Sequence, residues 1–189
     1  MGDQRYEIRI AGSGGQGVIL AAVIVGEALA LYEEGLNVVQ TQAYGPEARG
    51  GASKAEVVVS RSRIDYPKVT SPNLQVILTQ KACDKYVHDA LPGSVVIVDD
   101  FFVTEPPKVD AKVYSLPIVR TAREEVGREI VTNMVALGAV ARVLESWELA
   151  KPESIRKAIL DRSLIQIGAG GEIERGGLRG RPINKKKKE

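Results

Sequence analysis

The chain has 189 residues, of which 44% are hydrophobic and 26% are charged, a composition typical of one globular domain with a sizeable core. Its net charge of +2 is too small to indicate a nucleic-acid-binding protein. The single cysteine, Cys83, excludes an intrachain disulfide and a thiolate-held zinc or iron–sulfur cluster, which needs several cysteines.

Strands and helices alternate along the chain. In chain order, the pattern predicts a strand at 6–11, a helix at 17–34, a strand at 36–42, a loop at 43–53, strands at 54–60 and 74–79, a helix at about 81–91, strands at 94–100 and 112–118, and helices at 133–146 and 152–162. Apolar residues surround the first helix instead of forming a stripe, so we expect this helix to be buried on most sides.

Short apolar strands that alternate with helices are typical of a parallel sheet covered on both faces. We therefore predict an α/β fold, a three-layer sandwich with a mostly parallel sheet, for residues 1–167. Residues 168–189 form a glycine-rich, basic tail that we expect to be flexible or ordered only against a partner. The chain shows no apolar leader, and its apolar run at 18–25 is too short to span a bilayer, so we expect a cytoplasmic protein without membrane contact.

A glycine loop follows the first strand. Gly12, Gly14 and Gly17 match the G-x-G-x-x-G pattern between a strand and a helix, where backbone amides can bind a phosphate. A dinucleotide enzyme also needs an acidic residue at the end of the second strand, but residues 40–42 there are Gln, Thr and Gln. This leaves open a nicotinamide site, a purely structural turn, another phosphate ligand, or an interface.

Other candidate residues give weaker signals. His88 is the only histidine and has no matched catalytic partner in the sequence. Asp99 and Asp100 follow a buried strand, where they either contact a ligand or cap the next turn, and we favour the cap. In the loop "YGPEARGG", Glu47 and Arg49 either form a solvated ion pair or dock onto a partner or ligand.

Four segments together resemble the gamma subunit of 2-oxoacid:ferredoxin oxidoreductases, and most closely that of the 2-oxoglutarate enzyme. They are "GSGGQGV", "YGPEARGGAS", "IDYPKVTSPN" and "NMVALGA". The resemblance implies a Rossmann-like pyruvate/ketoacid oxidoreductase gamma-type domain that supports coenzyme A-dependent oxidative decarboxylation to an acyl-CoA but is inactive alone. It implies alpha, beta and ferredoxin-like delta partner subunits, which hold thiamine diphosphate, magnesium and 4Fe-4S clusters and pass electrons to ferredoxin.

The resemblance also assigns roles within this chain, with no catalytic residue and no metal ligand among them. The anion-binding loop, where coenzyme A is the possible ligand, would consist of Gly12, Ser13, Gly14, Gly15, Gln16 and Gly17. The face turned to the partner subunits would include Tyr44, Glu47, Arg49, Gly50 and Gly51. Asn133 would be either a helix N-cap or an interface residue.

Several alternatives stay open at this point. The chain could serve an enzyme for pyruvate, a branched-chain oxoacid or indolepyruvate, since this subunit does not read the oxoacid. It could also be a stand-alone nucleotide-binding module, or a scaffold whose glycine loop is only structural. We expect the isolated chain to self-associate and to bind no nucleic acid.

Overall fold

Six strands and five α-helices make up the chain over residues 5–43 and 51–168, which the computed structural model describes. The strands are β1 (Arg5–Ser13), β2 (Asn37–Ala43), β3 (Ala52–Ser60), β4 (Leu74–Ile77), β5 (Ser94–Asp99) and β6 (Ala111–Leu116). The helices are α1 (Val18–Tyr32), α2 (Gln80–Tyr86), α3 (Ile118–Glu124), α4 (Thr132–Ser146) and α5 (Pro152–Gly168). Two short 3-10 turns, Val87–Asp89 and Glu129–Val131, follow α2 and precede α4.

The strands form one sheet in the order β2-β3-β1-β4-β5-β6. Strands β1, β4, β5 and β6 pair in parallel, whereas β3 runs antiparallel to both of its neighbours. All strands except β3 therefore point in one direction, which confirms the predicted mostly parallel sheet. This arrangement places the carboxyl ends of β1, β2, β4 and β5 at one edge of the sheet.

Helices cover both faces of the sheet, as expected for three layers. Along β1 the side chains alternate: Ile8 and Ile10 enter the core beneath α1, α4 and α5, while Ala11 enters a smaller core beneath α2. Most residues of α1 are buried or half-buried in the larger core. This confirms the prediction that the helix is enclosed on most sides. Burying each large aliphatic side chain contributes about 2 kcal/mol relative to exposure.

A charged network lies inside the smaller core. Arg9 is only 1% exposed, and its guanidinium donates to Glu56 Oε1 at 2.7 Å and to Asp89 Oδ2 at 2.5 Å. Lys54 Nζ donates to the same oxygen of Glu56 at 2.7 Å. The ring of Tyr86 lies 5.7 Å from the Arg9 guanidinium, and its hydroxyl donates to the carbonyl of Ala52. The network thereby joins β1, β3 and the end of α2.

Several predicted element boundaries differ from the observed ones, most clearly in the second half of the chain. The predicted strand at 112–118 ends at Leu116, and Pro117 leads into α3, a helix that we did not predict. The predicted helix at 81–91 ends at Tyr86 and continues as a 3-10 turn. The last helix extends to Gly168, and the basic tail beyond it lies outside the described residues.

Across residues 5–43 and 51–168, no helix is both long enough and apolar enough to cross a bilayer.

Candidate functional site

The glycine loop lies at the edge of the sheet where β1 ends and α1 begins. It borders a cleft of about 390 Å³. The cleft is also lined by residues that follow β4 and β5 and by residues at and just before the start of α4. The cleft is lined by Ser13, Gly14, Gly15, Gln16, Thr79, Phe102, Glu129, Ile130 and Thr132. The carboxyl edge of a parallel sheet is where such folds bind ligands, so this cleft is the candidate site.

One end of the glycine loop is filled by its own glutamine. The side chain of Gln16 folds back so that its Oε1 accepts from the backbone amide of Ser13 at 2.8 Å. A Cβ atom at Gly12 would lie only 2.4 Å from that oxygen. Gly12 is therefore in close contact with a side chain of the loop itself.

The other end of the loop packs against α4. Gly17 adopts a left-handed conformation with φ +69°, and a Cβ there would lie 2.4 Å from Asn133 Nδ2. Asn133 is 4% exposed, and its amide donates to the Gly17 carbonyl at 3.4 Å. Because Val131 occupies the N-cap of α4 and Asn133 is the second helical residue, the N-cap interpretation of Asn133 is wrong. Asn133 instead fixes the loop from across the domain.

The middle of the loop remains open to the cleft. Gly15 has φ +92°, and no atom lies within 4 Å of the position that a Cβ would occupy. Gly14 and Gly15 both line the cleft. The amino terminus of α1 begins directly behind them at Val18, where unpaired helix amides favour an anion. Of the four glycines in the loop, Gly14 and Gly15 are thus the pair placed for ligand contact.

Asp99 supports the site without entering it. Its carboxylate is fully buried and accepts from the backbone amides of Phe101, Phe102 and Val119 at 2.8–3.1 Å. This confirms the predicted capping role, and it fixes both the turn after β5 and the first turn of α3. Asp100 pairs instead with Arg120 on α3.

An arginine and two aromatic rings form the rim beside the cleft. Arg123 Nε donates to Glu129 Oε2 at 3.0 Å, and the hydrogen bond to Glu129 raises the pKa of Arg123 above its ordinary value. The guanidinium carbon lies 4.8 Å from the ring centre of Phe101 and 5.6 Å from that of Phe102. Nearby, Ile130 is 77% exposed, which is unusual for an isoleucine.

Strands β2 and β3 place the residues that flank the "YGPEARGG" motif at the same edge of the sheet. Residues Tyr44, Glu47, Arg49 and Gly50 lie outside the described residues. Gly51 is half-buried and directly precedes Ala52, which pairs with Ser13 of the glycine loop across the β1–β3 ladder. Strand β2, which runs parallel to β1, ends at Ala43 on this edge as well. The described residues on both sides of the "YGPEARGG" motif therefore flank the candidate site.

Sequence reasoning missed five of the nine described residues that line the cleft, namely Thr79, Phe102, Glu129, Ile130 and Thr132. Thr79 and Phe102 directly follow parallel strands, so the rule that ligands bind at strand carboxyl ends would have found them. Glu129, Ile130 and Thr132 come from the start of α4, which no local pattern connects to the glycine loop. His88 is exposed on the turn after α2 and does not line the cleft.

Metal-ligating side chains do not cluster at the site. Over residues 5–43 and 51–168, no group of three or more His, Cys, Asp or Glu side chains is arranged to hold a metal ion.

Comparisons with known proteins identify relatives across most of the chain. Residues 7–164 match the family model described as pyruvate ferredoxin/flavodoxin oxidoreductase. The 2-oxoglutarate synthase subunit KorC of Methanocaldococcus jannaschii is 48% identical over 176 residues, which cover 89% of this chain and 94% of that protein.

Two solved structures share the fold. The gamma subunit of a keto/oxoacid ferredoxin oxidoreductase from Geobacter sulfurreducens superposes with a TM-score of 0.72 at 45% identity, covering 83% of this chain and 86% of that one. The 2-oxoglutarate:ferredoxin oxidoreductase from Magnetococcus marinus, solved with 2-oxoglutarate, coenzyme A and succinyl-CoA bound, superposes with a TM-score of 0.75 at 23% identity. The match covers 90% of this chain and 28% of the Magnetococcus chain, and at this identity it shows the fold alone.

Proposed function

The chain belongs to the pyruvate ferredoxin/flavodoxin oxidoreductase family, and we propose that it is the gamma subunit of a 2-oxoglutarate:ferredoxin oxidoreductase whose glycine cleft holds coenzyme A. The observation that supports the coenzyme A site most directly is the open pair Gly14 and Gly15, which face a cleft of about 390 Å³ in front of the α1 amino terminus. The name of the M. jannaschii relative supports 2-oxoglutarate as the oxoacid.

In this proposal the chain binds and positions coenzyme A, and its partner subunits perform the redox chemistry. Thiamine diphosphate with magnesium, held by a partner subunit, supplies decarboxylation of the 2-oxoacid, and 4Fe-4S clusters carry two electrons to ferredoxin. The acyl group leaves as a coenzyme A thioester. The role of this chain is to hold the coenzyme A diphosphate at the backbone amides of the glycine loop, which fixes the direction from which the thiol arm reaches the partner.

The proposal extends to the surface that meets the partners. We propose that the alpha and beta subunits contact Tyr44, Glu47, Arg49, Gly50 and Gly51. The position of Gly51 directly before Ala52, which pairs with Ser13, supports this proposal, because a subunit docked at Gly51 would also close the cleft. Asn133, buried behind Gly17, acts in this proposal through the loop that it fixes.

A substitution at Gly15 in the assembled complex tests the coenzyme A site. Gly15→Val places a branched side chain in the open cleft, and we expect the KM for coenzyme A to rise by about tenfold or more while the KM for 2-oxoglutarate stays unchanged. Gly93→Val is the matched control, because Gly93 also has a left-handed φ of +75° and open surroundings but lies outside the cleft. An unchanged KM for coenzyme A in an assembled Gly15→Val complex would remove the cleft as its site.

The alternatives can be separated by two further measurements. Rates of the native complex with 2-oxoglutarate, pyruvate, a branched-chain oxoacid and indolepyruvate identify the oxoacid, and we expect 2-oxoglutarate to be preferred. Titration of the isolated chain with NAD tests the nucleotide-module alternative, for which the missing acidic residue at 40–42 predicts no tight binding.

A further inference from the structure

The described lining of the cleft carries a negative charge, which is unfavourable for a ligand that bears phosphates. Among the described residues that line the cleft, Glu129, a carboxylate, is the only one with a charged side chain. A carboxylate at the rim repels phosphate, and backbone amides supply only partial positive charge. A ligand with several phosphates therefore needs a full cation close to this lining.

Arg123 is positioned to be that cation. Its Nε binds Glu129 at 3.0 Å, and its guanidinium lies against the ring of Phe102. Both of these partners line the cleft, so the guanidinium stands at the cleft rim. A second ring, that of Phe101, lies 4.8 Å from the guanidinium carbon and restricts its orientation. The arginine is thus oriented before any ligand arrives, which lowers the entropic cost of binding.

The part of Arg123 that recognises phosphate is not engaged. Within the described part of the chain, only Nε has a hydrogen-bond partner, and the two terminal amino groups have none. The side chain is 38% exposed. Arg120, one turn earlier on α3, differs because Asp100 binds both its Nε and a terminal amino group. Two parallel N–H groups of a guanidinium match two oxygens of a phosphate.

We propose that Arg123 determines the specificity of the cleft by binding a phosphate monoester of the ligand through its two terminal amino groups. The inference rests on the proposed function, in which the ligand is coenzyme A. That molecule carries a diphosphate and, separately, a monoester on its ribose. The glycine loop then takes the diphosphate, and Arg123 takes the 3′-phosphate, whose charge exceeds −1 near neutral pH.

Binding of coenzyme A and of 3′-dephospho-coenzyme A to the assembled complex tests the inference. We expect the wild-type complex to bind coenzyme A more tightly than the dephospho form. Arg123→Gln should weaken coenzyme A binding by about tenfold or more, because a hydrogen-bonded charge is lost, and should leave binding of the dephospho form unchanged. Arg123→Lys should recover part of the loss, since it keeps the charge without the planar fork.

Arg120→Gln is the matched control, because it removes the same charge from the same helix, and we expect it to leave both dissociation constants unchanged. Equal binding of the two ligands by the wild-type complex would overturn the inference. So would an equal effect of Arg123→Gln on both ligands, or no effect on either. The proposed coenzyme A site is tested by a different variant: it would be contradicted if Gly15→Val left the KM for coenzyme A unchanged. If Gly15→Val raises that KM but the Arg123→Gln complex still binds coenzyme A more tightly than the dephospho form, the coenzyme A site stands and only the proposed role of Arg123 is contradicted.

Discussion

The backbone of Gly17 passes so close to Asn133 that no side chain fits between them. A Cβ atom would lie 2.4 Å from Asn133 Nδ2 and 2.8 Å from Asn133 Cγ, in a left-handed conformation that already disfavours other residues. The contact joins the start of α1 to the start of α4, so the shape of the loop depends on a residue 116 positions away.

Gly17→Ala should therefore destabilise the chain by about 3 kcal/mol, the sum of backbone strain and a steric clash. Gly93→Ala, at φ +75° with nothing within 4 Å, should cost only about 1 kcal/mol. Urea unfolding measures both. In an Asn133→Ala background the difference between the two glycine variants should shrink, because the clashing amide is gone. A difference that stays the same would show that the clash is not its cause.

Burial changes the ionisation of Cys83. The side chain is 2% exposed, and burial raises the pKa of the thiol from 9.0 to about 11. The folded protein therefore keeps this proton at pH values where the unfolded chain releases it. The contribution to stability is complete below pH 9 and is lost as the pH rises towards 11.

At pH 9 the Cys83 thiol of the folded chain should react with iodoacetamide at least about a hundredfold more slowly than in urea-unfolded protein. Mass spectrometry of the labelled chain measures the rate. Labelling at comparable rates in both states would show that the thiol is accessible and that Cys83 of α2 is not buried in the smaller core.

At the scale of the elements, the ion network around Arg9 ties two strands to the end of α2. Arg9→Met leaves Glu56 in the core with Lys54 as its remaining cation, and such a loss from a buried network costs about 3 kcal/mol. Arg142→Met is the control, because that arginine pairs with Glu145 at the surface, where ion pairs contribute at most about 1 kcal/mol. Similar unfolding free energies for both variants would contradict this account of the smaller core.

Helices and strands with a strong local sequence pattern could be predicted. Those that depend on contacts with residues far away in the sequence could not. The apolar strands and the enclosed helix α1 follow from their own residues, so the α/β class was predicted correctly. Helix α3 escaped prediction because its first turn depends on Asp99, whose carboxylate binds the amide of Val119 from 20 residues away. The antiparallel direction of β3 also depends on tertiary pairing, since an apolar run predicts a buried strand but not its direction.

The same distinction applies to the candidate site. The glycine loop and its place before a helix were evident from the spacing of Gly12, Gly14 and Gly17. The sequence did not reveal that side chains of the protein itself occupy both ends of the loop. Nor could it connect Arg123 and Glu129 to the loop, because more than 100 residues separate them and only packing of α3 and α4 brings them together.

At the scale of the whole molecule, the proposed function is that this chain positions a ligand for chemistry carried out by other subunits. Its central claim is tested most directly by reconstituting 2-oxoglutarate-dependent, coenzyme A-dependent reduction of ferredoxin from purified subunits, with and without this chain. We expect no activity from the chain alone, and we expect its addition to the partner subunits to restore activity that saturates with coenzyme A. Oxidation of 2-oxoglutarate by the isolated chain, or partner subunits that keep the same KM for coenzyme A without it, would contradict the account.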